Sequence, residues 1–162
     1  MKMCVFARIG AAAMIGTLAL AYAPAAAVGG ETLTGKMAMY RDLLGAPWTC
    51  TLGTAKYFAA YSALPANTLH GHLYSKDSSE DAYFGYDAKR KLYWTDSADS
   101  NGATESQTSV DGVSFVGTLN NGGATSKSTN VYTIGNVHKW TVRARGSSAG
   151  QPYDVLATCV RA

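Results

Sequence analysis

The sequence predicts an all-β protein: an antiparallel up-and-down β-barrel of about eight to ten strands behind a short N-terminal α-helix, with a two-sheet β-sandwich as the alternative. Three observations predict it. Turn-forming clusters such as Lys76-Asp77-Ser78-Ser79, Asp99-Ser100-Asn101-Gly102 and Asn120-Asn121-Gly122-Gly123 punctuate the chain at intervals of about ten residues. Between them lie short β-branched and aromatic runs of alternating polarity. No interval is long enough for the crossover helix that a parallel sheet requires. The length, 162 residues, suits one domain. With 15% charged and 47% hydrophobic residues and 17 glycines, the composition excludes a disordered or coiled-coil chain.

Residues 1–27 read as a secretory signal peptide. Lys2 and Arg8 precede an apolar run from Ile9 to Tyr22, and Ala25-Ala26-Ala27 offers an A-x-A cleavage site. The run is short of the roughly 20 apolar residues of a membrane anchor. Cys4 lies before it, where it cannot serve as a lipoprotein cysteine. The expected product is periplasmic or secreted, with no stable membrane insertion after signal removal. Cleavage drops two of the 14 basic residues that face 11 acidic ones, so the mature chain is nearly neutral. The one dense basic run, Lys89-Arg90-Lys91, falls in a predicted hairpin turn, and nucleic acid is not an expected partner.

The segment 28–47 carries the helix. From Glu31 to Leu44, apolar residues at Leu33, Met37, Tyr40 and Leu44 share a helical face, and Gly45 and Pro47 end it. The barrel occupies 48–162. Its strands are expected at Trp48 to Leu52, Lys56 to Ala63, Leu69 to Ser75, Asp81 to Tyr86, Lys91 to Thr95, Thr104 to Ser109, Val113 to Leu119, Thr125 to Thr133, Val137 to Arg145 and Tyr153 to Arg161. Alternation groups Trp48, Cys50 and Leu52 on one face; likewise Ala82, Phe84 and Tyr86; Val113, Phe115, Gly117 and Leu119; and His138, Trp140, Val142 and Ala144. The aromatic residues expected to point inward are Tyr86, Trp94, Phe115, Trp140 and Tyr153. They either fill the core or line a ligand cavity.

Cys50 and Cys159 remain after signal removal, an even pair in an oxidising compartment. In a closed barrel the first and last strands are neighbours, so a structural disulfide is expected. A buried free pair and a redox dithiol are the alternatives, although catalytic dithiols usually stand two residues apart.

Gly45-Ala46-Pro47-Trp48-Thr49-Cys50 opens the sheet, Gly85-Tyr86-Asp87 precedes a hairpin, and Cys159-Val160-Arg161 closes the sheet. With these motifs the region from Gly45 to Arg161 resembles the lipocalin-like, calycin-type barrels and is similar to a group of small exported bacterial proteins of unknown function. The resemblance implies that the Trp48 indole lies at the barrel floor with Arg161 across it, a cation-π contact. The spacing here is Gly-x-x-Trp, one residue longer than the lipocalin pattern.

Catalytic residues are not expected: there is no Gly-x-Ser-x-Gly elbow, no phosphate-cradling glycine loop, and the acids Asp77, Glu80, Asp81, Asp87, Asp96, Asp99 and Asp111 fall mostly in turns. His70 and His72 share one strand face, a spacing that suits two metal ligands, and His138 is the remaining histidine. A haem-binding barrel needs one inward axial histidine, and His138 has the inward parity. No cofactor is assigned. The expected function is a non-enzymatic exported barrel binding a small apolar or aromatic ligand. A filled barrel that binds an envelope protein or carbohydrate, and a metal- or haem-binding barrel, are the alternatives.

Overall fold

A computed structural model describes residues 32–45, 47–148 and 150–161; the expected signal peptide at 1–27 lies outside them. Ten strands among the described residues follow one another as β1 (Trp48–Leu52), β2 (Ala55–Leu64), β3 (Thr68–Tyr74), β4 (Ser79–Asp87), β5 (Leu92–Asp99), β6 (Thr104–Ser109), β7 (Ser114–Asn121), β8 (Ala124–Asn136), β9 (Lys139–Ser148) and β10 (Gln151–Val160). Each pairs antiparallel with its chain neighbours, and β1 pairs with β10, so the sheet is a closed up-and-down barrel rather than a sandwich. Closure leaves no sheet edge exposed.

The seam between β1 and β10 places Cys50 directly opposite Cys159, and the two are joined by a disulfide. Alternation accounts for the inward set on most strands: Trp48, Cys50 and Leu52 on β1, Tyr57, Ala59 and Tyr61 on β2, Leu69 and Leu73 on β3, Trp140, Val142 and Ala144 on β9 are all buried.

The N-terminal helix differs in kind from the expectation. It is a 3-10 helix over Gly35–Leu43, not an α-helix; residues 32–34 are not helical, and Glu31 lies outside the described residues. Met37, Tyr40 and Leu43 are its buried residues, spaced three apart. That spacing aligns on one edge of a three-residue turn, whereas an α-helix would rotate it off the face. Leu33 is buried ahead of the helix, and Leu44 is only half-buried. Tertiary contacts hold the helix in place: the Tyr40 hydroxyl donates to the carbonyl of Gly112, and the helix packs against β3, β4 and β8. It closes the end of the barrel where β1 begins and β10 finishes.

Two inward assignments are corrected. Trp94 lies on the outer face, because Tyr93 takes the buried position on β5. The run Leu92-Tyr93-Trp94 is apolar throughout and carries no alternation to decide between them. Trp94 sits in register with Gly85 of β4, and a Cβ at Gly85 would stand 2.3 Å from the indole, so the missing side chain is what lets the ring lie flat there. His138 is exposed in the β8–β9 hairpin, where the Asn136 side chain accepts its backbone N–H at 2.8 Å. The Gly135-Asn136 turn therefore extends past it, and the strand starts only at Lys139.

Candidate functional site

The floor of the barrel is built where β1 begins and β10 finishes. The Arg161 guanidinium lies over the Trp48 ring, 4.0 Å from its centroid. The carbonyl of Leu43, the last helical residue, accepts from both Trp48 Nε1 (3.0 Å) and Arg161 Nη2 (2.9 Å). One backbone oxygen thus ties the helix to Trp48 of β1 and to Arg161, just past β10. Arg161 is partly withdrawn from water, and that desolvation lowers its pKa. The arrangement is a clasp over a fully buried indole.

Above the floor the interior is aromatic. Trp140 meets Trp48 edge-on at 6.3 Å and Tyr61 at 5.9 Å, and Tyr132 lies between Trp140 and Phe115. Of the five expected cavity aromatics, Phe115, Trp140 and the half-buried Tyr86 belong to this cluster. Tyr153 faces inward at the opposite end, against Ala103 and Leu119, and Trp94 is outside. The five therefore do not converge on one chamber. Inside the barrel, the space bordered by Tyr61, Leu73, Glu80, Phe84, Glu105 and Asn130 amounts to about 10 Å³, room for about one water molecule.

The half of the barrel away from the helix is polar. Glu80 is 3% exposed and its Oε2 has no hydrogen-bond partner. Burial pushes its carboxyl up to about 8, opposed by a hydrogen bond from Ser97 and reinforced by the nearby Glu105, Asp99 and Asp81 charges. Burial also raises the Glu105 carboxyl against hydrogen bonds from Ser128 and Asn130. Asn130 Nδ2 donates to Glu105 at 2.8 Å and to Gln107 Oε1 at 3.1 Å, and Gln107 Nε2 donates to Ser128 at 2.9 Å. The sequence groups Glu80 with the turn acids, whereas it lies on β4 and is buried, and it assigns Glu105 no role. For Glu80 a signal existed, since it shares parity with Ala82 and Phe84. For Glu105 none did, because β6 reads Thr-Glu-Ser-Gln-Thr-Ser and holds no apolar residue to mark the inside.

On the outer face, β3 and β4 bring together a second group. His70 Nε2 and His72 Nδ1 each lie 2.9 Å from Oδ1 of Asp81. Burial draws the Asp81 carboxyl upward, but the hydrogen bonds and charges of His72 and His70 outweigh it and hold it below the usual carboxylate range. The rings stack along the sheet: His70 on Tyr83 at 4.8 Å, His72 on Tyr74 at 5.4 Å, and Tyr74 on Phe58 at 5.6 Å. The two histidines do share a face as their spacing requires, whereas His138 is on the β8–β9 turn. Among the described residues no three His, Cys, Asp or Glu side chains are placed to hold a metal ion together.

Fold and interior define the class: a closed ten-stranded antiparallel barrel, plugged at one end by a 3-10 helix and filled by its own side chains. In comparisons with known proteins, no protein-family model matches the chain and no curated protein matches it. The disulfide is compatible with an oxidising compartment. No helix among the described residues is long and apolar enough to cross a membrane.

Proposed function

We propose that the protein is an exported, non-enzymatic, lipocalin-like barrel that works through its outer surface, as a binding module for another envelope protein. The observation that carries this reading is the filled interior. A space of about 10 Å³ compares with the roughly 300–1,000 Å³ of a small-molecule pocket, which weighs against an enclosed apolar ligand. The Trp48–Arg161 clasp and the seam disulfide support the lipocalin-like kinship.

The outer β2–β3–β4 face favours a protein over a carbohydrate. Sugar rings bind on open aromatic faces. Here each ring turns one face to a neighbouring ring, and the tyrosines stand beside two imidazoles hydrogen-bonded to a carboxylate. Tyrosine-rich, hydrogen-bonding surfaces of this kind are typical of protein interfaces. Phe58 and Tyr83, exposed by 43% and 40%, are the residues whose loss costs most.

Crosslinking in the intact envelope, followed by purification and mass spectrometry, tests the reading. It expects one recurrent protein adduct, lost on Phe58→Ser with Tyr83→Ser and kept on Arg143→Ser. Native mass spectrometry that retained a small apolar molecule, with no adduct sensitive to the face, would refute it.

A further inference from the structure

We propose that the space between Glu80 and Glu105 is a binding site for a single hard cation of the calcium type, held by two carboxyl groups and neutral oxygens. The walls of the space contribute the Thr95 and Ser97 hydroxyls and the Asn130 amide beside the two acids, with no sulfur or imidazole among them. Such a donor set suits oxygen-seeking cations and not zinc or copper.

Two further observations point to an occupant. Oε2 of Glu80 is fully withdrawn from solvent, borders the space and has no partner. Buried polar atoms are almost always satisfied, so an orphaned carboxylate oxygen calls for a missing donor or a positive charge. Among the described residues that line the space there is no lysine or arginine, so no cationic side chain borders the two acids there. A divalent ion would neutralise both.

Glu105 is already oriented for this role. The chain of hydrogen bonds from Ser128 through Gln107 and Asn130 fixes one side of its carboxyl, in the way outer residues commonly orient a metal-binding carboxylate. Glu80 approaches from β4 and Glu105 from β6, so the ion would bind strands on either side of β5.

The test uses the full chain, stripped with chelator and then titrated with terbium(III), a calcium surrogate whose luminescence is sensitised by nearby tyrosine. Tyr61 and Tyr132 border the space and supply that antenna. Saturation at about one ion per chain, displacement by calcium, and a calcium-dependent rise in melting temperature are expected. Glu80→Gln and Glu105→Gln should each weaken binding by about tenfold or more, while Asp77→Asn, on an exposed turn, should not.

Absence of saturable luminescence in the wild-type protein refolded with the ion would overturn the proposal, and so would equal loss in Asp77→Asn. Should Glu80→Gln fail to fold by circular dichroism, the wild-type titration and Glu105→Gln still decide. A structure in which the space holds only water at millimolar calcium would also overturn it.

Discussion

Reducing the seam disulfide is the perturbation whose cost can be worked most directly from the structure. Cys50 and Cys159 are 109 residues apart in the chain and directly opposed across the β1–β10 ladder, so the bond spans nearly the whole barrel. In the chain-entropy description, opening a loop of that size releases about 5 kcal/mol of configurational freedom to the unfolded chain. Domains of this kind are stable by only about 5–15 kcal/mol in total. The bond therefore accounts for a large share of the margin. The β1–β10 ladder holds only four residue pairs, from Thr49–Val160 to Leu52–Ala157, with the Arg161–Trp48 stack as its other fastening.

The assay is urea unfolding of oxidised protein, of protein reduced at constant pH, and of Cys50→Ala with Cys159→Ala. Both cysteines are fully buried, so the alanine pair also loses packing of about 1 kcal/mol per site, which the reduced protein does not. Reduced protein should lose about 4–5 kcal/mol and show a steeper denaturant slope, since its unfolded chain exposes more surface. Amide exchange should accelerate first in β1. A loss below about 1 kcal/mol, with an unchanged slope, would refute the view that the bond acts by restraining the unfolded chain.

Other outcomes follow from the interior and the floor. Glu80 has a folded pKa of about 8, above its unfolded value, so the folded state holds the proton more tightly. The Glu80 contribution to stability, measured in chelator as the difference between wild type and Glu80→Gln, should be full below the ordinary carboxylate range and be lost as pH rises through 8, by roughly 5 kcal/mol at most; a difference that does not change with pH would assign the effect elsewhere. Arg161→Ala removes the stack on Trp48 and the bond to Leu43, and thermal unfolding should report a loss of about 2 kcal/mol, with Arg161→Lys recovering only part. At Gly117 a Cβ would stand 2.0 Å from the Ser106 carbonyl oxygen on the paired strand, so Gly117→Ala should cost about 3 kcal/mol or more by the same measurement; a neutral result would mean that β6 and β7 separate to admit it.

The strands were legible because turns and alternation are local. β1 and β6 begin and end where turn chemistry and polarity place them, and all ten predicted runs correspond to strands. Where local pattern was silent, inference failed. Leu92-Tyr93-Trp94 offered no alternation, and Trp94 was placed inside. Counting parity from Val137 carried His138 inward across a turn that had not yet ended. The helix type is not legible because spacings of three and four overlap in a segment of nine residues, while its tertiary contacts, among them the Tyr40–Gly112 bond and the packing on β3, β4 and β8, lie outside the segment. His70 and His72 were visible as a pair, but Asp81 reaches them through strand register, with His72 directly opposite Asp81 and His70 opposite Tyr83.

By itself the sequence determined the ten strands, their order, the faces of most side chains and the meeting of Cys50 with Cys159, since each depends on residues close in the chain or on the simple closure of a meander. Only the tertiary structure decided that the barrel is filled and that Glu80 and Glu105 face one another's charge in a space of about 10 Å³. Free volume is what remains after side chains from ten strands interdigitate, and desolvation is the sum of everything that excludes water from a group. Neither quantity resides in any one segment.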